Sequence, residues 1–170
     1  KKGIGDDCAV LETGGEGLLL VTTDMLVEGT HYTTKTLSCE DVGWKALAVS
    51  LSDIAAMGGI PHTAFLSIGL RPSTPVSVLE SFMRGFQTMA CEAKVFLAGG
   101  DTVAVKSNSV ISVTLLGSCS PEGLVLRSGA RAGDDIDHAT GQIRSREHLI
   151  LVGRRRRMGV RGHQDHIVAH

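Results

Sequence analysis

Two short apolar runs, residues 8–11 and 18–21, stand on either side of Gly14-Gly15-Glu16-Gly17. Apolar runs separated by a glycine turn predict a β-hairpin. The second run ends in Thr22-Thr23-Asp24, and a glycine loop, Glu28-Gly29-Thr30-His31, follows. Ser38-Cys39-Glu40-Asp41 has the form of a capping box, with acids where a first helical turn favours them. The helix it opens is expected to run to about residue 57, where Gly58-Gly59 stops it. Within it Leu47, Leu51, Ile54 and Ala55 recur at helical spacing. Residues 62–70 are β-like, and Pro72 and Pro75 break the chain after them. Residues 76–94 predict a second helix, with Val78, Leu79, Phe82, Phe86 and Met89 near one face. Residues 95–98 form a further apolar strand ending in Gly99-Gly100-Asp101, and residues 110–116 alternate as another strand. The order β-β-α-β-α-β-β predicts an α/β or α+β fold, a mixed sheet with its helices on one face. No internal repeat is visible.

Composition narrows the class. The chain has 170 residues, enough for one domain with its own core, and aromatics are few, so aliphatic side chains must fill it. Residues 1–137 carry 10 Lys and Arg against 16 Asp and Glu, whereas residues 138–170 carry 7 Arg against 2 acids. An acidic body argues against nucleic acid as a partner and suits divalent cations. Four widely spaced cysteines without a C-x-x-C pair read as reduced thiols of a cytoplasmic protein. Neither a signal peptide nor an apolar run of the ~18–20 residues of a membrane helix is present, so no membrane role is expected. Lys1-Lys2 abuts a motif with no initiator Met, and the start is read as slightly truncated. Residues 1–136 are read as one domain. Residues 137–170, Arg- and His-rich and including Arg154-Arg155-Arg156-Arg157, are expected to be a disordered or frameshifted tail. Nothing aromatic is interleaved in that basic run to stack bases.

The candidate chemistry lies in aspartates at expected element ends. Gly5-Asp6-Asp7 precedes the first strand; a glycine-led turn lets two carboxylates face one ion, although a solvated loop is the plainer account of a lone Asp-Asp. Thr22-Thr23-Asp24 offers two hydroxyls and a carboxylate, the oxygen ligands that magnesium takes together with water and substrate phosphates. Asp53 falls in the last turn of an apolar helix, at the negative end of its dipole, which disfavours a carboxylate by about 0.3–1 kcal/mol. Burial under that handicap calls for a cation. In Gly99-Gly100-Asp101-Thr102 the glycines admit a phosphate close to the backbone and the carboxylate can hold a bridging metal. His31 reads as a surface-loop or a substrate-contacting histidine, and Arg127 as a phosphate clamp or a solvated loop arginine. Trp44 and Lys45 read as a packing residue and part of a solvated helix face.

The ordered set GIGDDCAVL, TTDMLVEGTHY, GWKALAVSLSDIAAMGG, LAGGDT and LRSGARAGDDI resembles the thiamine-monophosphate kinase family over residues 3–136. That family belongs to the superfamily of aminoimidazole-ribotide synthetase and selenophosphate synthetase, and the match is to its N-terminal, ATP-binding domain. The resemblance implies ATP-dependent phosphorylation of thiamine monophosphate to thiamine diphosphate, with Mg2+ and ATP, without a phosphoenzyme and hence without a catalytic nucleophile. It implies Asp7, Thr22, Thr23, Asp24, Asp53 and Asp101 as metal ligands, His31 at the substrate, and Gly100, Asp101 and Arg127 at ATP. It further implies a homodimer joined through the sheet. A fragment that only binds Mg-ATP or dimerises, or another member of the same ATP-dependent superfamily, is the alternative.

Overall fold

In the computed structural model, residues 3–15 and 17–131 are described; the expectations for residues 137–170 and for the boundary at 136 lie outside them. The glycine turn joins β1 (Ala9–Glu12) to β2 (Leu18–Val27) as an antiparallel pair, Ala9 opposite Val21 and Glu12 opposite Leu18. Next come α1 (Cys39–Ala56), β3 (Ile60–Leu70), α2 (Val76–Glu92), β4 (Phe96–Ala104) and β5 (Val110–Cys119). A 3-10 turn, Arg127–Gly129, follows. The five strands lie in the order β1-β2-β5-β3-β4, antiparallel except for the parallel pair β3–β4. This is the mixed α+β sheet expected from the element order.

Both helix ends of α1 follow from local hydrogen bonds. Ser38 Oγ accepts the Asp41 N–H at 3.1 Å while the Asp41 carboxylate accepts the Ser38 N–H at 3.2 Å, a closed capping box. At the other end the Gly58 N–H donates to the Ala55 carbonyl and the Gly59 N–H to the Ile54 carbonyl, each at 2.9 Å. That is the Schellman pattern.

The core lies between the helices and one face of the sheet. Leu47, Leu51 and Ile54 of α1 and Phe86 and Met89 of α2 are buried against Leu20, Ala64, Leu66, Val113 and Leu115. α1 and α2 cross where neither has a side chain in the way. A Cβ on Gly85 would overlap the Glu40 carbonyl, and one on Gly43 would overlap that of Phe82. The other sheet face has no covering layer among the described residues. Met25, Phe65, Phe96 and Val103 stand 57, 41, 69 and 51% exposed, and the register puts them all on that face. No helix of the described residues is long and apolar enough to cross a membrane.

Two strands differ from the sequence expectation in a way that matters for the site. β2 continues to Val27 and β4 to Ala104, so Thr22-Thr23-Asp24 and Gly99-Gly100-Asp101 lie inside strands and not at their ends. The apolar run was too short a guide. β2 keeps its ladder with β5 through Val27, and the polar side chains on its helix-facing side are hydrogen-bonded to α1.

Candidate metal and phosphate site

The period of two along β2 puts Thr22 and Asp24 on the helix-facing side with Leu20 and Leu26. On α1, Ser50 and Asp53 are three residues apart and therefore share a face. The two pairs meet: the Thr22 hydroxyl donates to Asp53 Oδ2 at 2.6 Å and the Ser50 hydroxyl to Asp24 Oδ2 at 2.7 Å. Asp6 and Asp7, before β1, divide their work on Arg127. The Asp6 carboxylate accepts the Arg127 N–H at 2.7 Å, and Asp7 accepts both Arg127 Nε, at 3.4 Å, and Nη2. The Arg127 side chain is 67% exposed and that of Asp7 23%.

Electrostatics tie these groups into one cluster. Burial pushes the Asp53 carboxyl up to about 6; the Thr22 hydrogen bond opposes this, the charges of Asp24 and Asp7 add to it, and Arg127 counters. Cys8, beside them, is pushed up to about 12 by burial and then by Asp53, Asp7 and Asp24. The Asp7 hydrogen bond and charge raise Arg127. A carboxyl whose charge is disfavoured by burial and by two neighbouring carboxylates marks a site short of positive charge. An all-oxygen donor set of this kind suits a hard cation such as magnesium. It is not closed: among the described residues no three His, Cys, Asp or Glu groups surround one point in ligating geometry. Asp7 is turned to Arg127, and Asp24 and Asp53 each hold a hydroxyl. The donors fit the ion by chemistry, and Asp7 has a cation partner that it can exchange.

The profile of AIR synthase related protein, N-terminal domain, matches residues 5–119. The chain belongs to this family. It is 40% identical over 144 residues to the thiamine-monophosphate kinase of Bacillus subtilis (strain 168), covering 84% of this chain and 44% of that protein. It is 41% identical over 153 residues to that of Aquifex aeolicus (strain VF5), covering 89% and 48%. The solved structure "AaThiL complexed with AMPPCP and TMP" superimposes with a TM-score of 0.72 at 39% identity, over 79% of this chain and 42% of that one. The chain thus spans less than half the length of these relatives.

Within this AIR synthase-related domain the remaining candidate residues stand apart from the cluster. Thr23 points to the open face, where its hydroxyl is 3.2 Å from that of Thr114. Asp101 shares a row with Met25, Ser112 and Ser67 and so belongs to the open face as well; its Oδ1 accepts the Thr102 N–H at 2.8 Å. Asp24 and Gly100 end the neighbouring row across Val113 and Leu66, three strand spacings or about 14 Å apart. Gly100 has φ +153°, and a Cβ there would overlap the Leu66 backbone, so glycine is required. His31 lies beyond the end of β2, about 10 Å along the strand direction from Asp24. Its Nδ1 accepts the Val27 N–H at 3.0 Å.

Three contacts at or beside the site escaped the sequence reading. Ser50 orients Asp24, and its place three residues before Asp53 in an apolar helix was the available signal. Asp6 holds the Arg127 backbone, a pairing across 121 positions that nothing local announces. Lys45 is not part of a solvated face: its ammonium donates to the His31 carbonyl at 2.8 Å. A separate cleft of ≈ 330 Å³, lined by Tyr32, Val42, Ile68 and Phe82 with Glu28 and Arg71, contains none of the candidate ligands.

Proposed function

We propose that residues 1–136 are the metal- and ATP-handling domain of a thiamine-monophosphate kinase, which phosphorylates thiamine monophosphate to thiamine diphosphate by direct transfer from ATP. The observation that carries this is the coupled set Asp7, Asp24 and Asp53 with Arg127, placed by β2, α1 and the 3-10 turn. Similarity to proteins of that name, and to one complexed with an ATP analogue and TMP, supports it.

Magnesium, when bound, neutralises charge on the transferring phosphoryl group and its bridging oxygens. Asp7, Asp24 and Asp53 would hold it, with the Thr22 and Ser50 hydroxyls keeping two of the carboxylates in place. Arg127 is anchored by its backbone, and its guanidinium, though paired with Asp7, is exposed, so it could exchange Asp7 for a phosphate while Asp7 would turn to the metal. The charge balance of the cluster is kept by that exchange. Phosphoryl transfer requires positioning and charge neutralisation more than a protein nucleophile, in keeping with a site made of carboxylates, hydroxyls and one arginine.

Asp101 and Thr23 belong in this reading to a second metal–nucleotide subsite on the open face, with Gly100 letting a phosphate approach the backbone. A homodimer formed through that face would bring such a subsite against a second copy; the exposed Met25, Phe65, Phe96 and Val103 support it. Four free cysteines agree with a cytoplasmic location.

Calorimetry of the chain with magnesium and a non-hydrolysable ATP analogue tests the site. Asp53→Asn is expected to weaken metal-dependent nucleotide binding by about 10–100-fold; unchanged binding would remove Asp53 from the site. A thiamine diphosphate assay on the same chain separates the kinase from the alternative of a domain that binds Mg-ATP without turnover. Turnover that requires Asp53 supports the former, and binding without turnover the latter.

A further inference from the structure

The loop that joins β2 to α1 is tied down more firmly than its exposure suggests. Val27 and His31 form a reciprocal pair: the Val27 N–H donates to the His31 ring Nδ1 at 3.0 Å, and the His31 N–H donates to the Val27 carbonyl at 2.9 Å. A ring nitrogen that accepts carries no proton, so the neutral imidazole holds its proton on Nε2. On one side of the loop, Glu28 accepts the Ser109 N–H at 3.1 Å and pairs with Arg71 at 3.5 Å. On the other side Lys45 Nζ donates to the His31 carbonyl at 2.8 Å and ties the loop to α1.

Lys45 stands eight residues before Asp53 on the same helix, about 12 Å along its axis. The strand beneath gives a matching separation of about 10 Å between Asp24 and Val27. One rigid helix therefore sets both the carboxylate cluster and the carbonyl of His31, at a separation suited to a small molecule with phosphate at one end and a heteroaromatic ring at the other. We infer that Lys45 is a positioning residue that holds His31 as a neutral Nε2–H donor toward the ring end of the substrate, opposite its phosphate. The assignment rests on the proposed substrate contact of His31. A charge-assisted bond from ammonium to carbonyl suits the task, because it fixes the backbone that carries the imidazole without touching the ring.

The test is a two-bond 15N–1H correlation spectrum of the full chain with labelled histidine, the His31 signals identified through His31→Gln among the seven histidines. Wild type and Lys45→Arg are expected to show His31 as a single Nε2–H tautomer, and Lys45→Met an averaged pair. Thiamine monophosphate binding, read by calorimetry, is expected to weaken about tenfold in Lys45→Met, the scale of one hydrogen bond to a charged group. It should recover in Lys45→Arg, with affinity for the ATP analogue unchanged throughout. An unaltered tautomer in Lys45→Met, or equal impairment in both variants, would overturn the inference. If the Met variant does not fold, Lys45→Gln, too short to reach the carbonyl, replaces it with the same expected outcomes. Should His31→Ala bind thiamine monophosphate as tightly as wild type, the substrate contact falls, while the tautomer spectra still decide the role of Lys45.

Discussion

Asp53 shows how burial and neighbouring charge act on a single side chain. Its carboxyl titrates at about 6 in the folded protein against 3.8 unperturbed, because burial and the neighbouring Asp24 and Asp7 disfavour its charge. The folded value is the higher one. Between the two values the folded state keeps a proton that the unfolded chain has released, so this group's contribution to stability falls as pH rises from about 4 to about 6 and is flat above. Metal binding has the opposite slope, since it needs the ionised carboxylate. Urea unfolding of the metal-free chain at about pH 5 and about pH 7 should therefore show a decline that Asp53→Asn removes, while the variant gains stability at the higher pH. Half-exposure of the carboxyl tempers the size of the effect. A decline of the same size in the Asn variant would assign it to other groups. The same residue scale is where sequence reading was strongest and most incomplete. Asp53 is conspicuous as a charge in an apolar helix, yet its partner Thr22 lies 31 positions away and only folding pairs them.

At the scale of elements, the crossing of α1 and α2 is set by the absence of side chains at Gly43 and Gly85. Each faces the other helix's backbone, at the Phe82 and Glu40 carbonyls respectively. Because the obstacle is backbone and not the end of a flexible side chain, the helices must separate to admit a methyl group. Gly85→Ala is expected to cost about 2–3 kcal/mol in urea unfolding. Thr88→Ala, at an exposed site on α2, should stay within about 0.5 kcal/mol. Equal costs would mean that the crossing is looser than described. The helices themselves were readable from capping and periodicity, and their ends fell within two residues of expectation. The strands were readable in number and order, but the lengths of β2 and β4 were not. The ladder with β5 extends β2 through Thr22-Thr23-Asp24, and pairing with β3 extends β4 through Gly99-Gly100-Asp101. A strand's length depends on its partners, which a local apolar run does not reveal.

For the whole molecule, the unequal faces of the sheet are the main fact. One face is sealed by two helices, while the other presents Met25, Phe65, Phe96 and Val103 amid threonine and serine. Apolar side chains gathered on an uncovered sheet face mark an interaction surface. The proposed homodimer predicts that wild type sediments as a dimer in analytical ultracentrifugation and that Met25→Glu with Phe65→Glu yields a folded monomer. A wild-type monomer would remove the dimer from the functional reading.

The sequence by itself determined the order and kind of the elements, the faces of both helices, the motifs at which carboxylates gather, and the kinship that the family match bears out. Those features rest on short-range rules: periodicity, caps, glycine turns and charges out of place. Tertiary structure alone decided which of the aspartates lie together. It put Asp7, Asp24 and Asp53 on the helix side with Arg127 and sent Thr23 and Asp101 to the open face, because side chains alternate along a strand and register is fixed by distant partners. It also turned Lys45 from a solvated residue into the tether of His31, since a helix and the loop before it meet only when both pack on the same sheet.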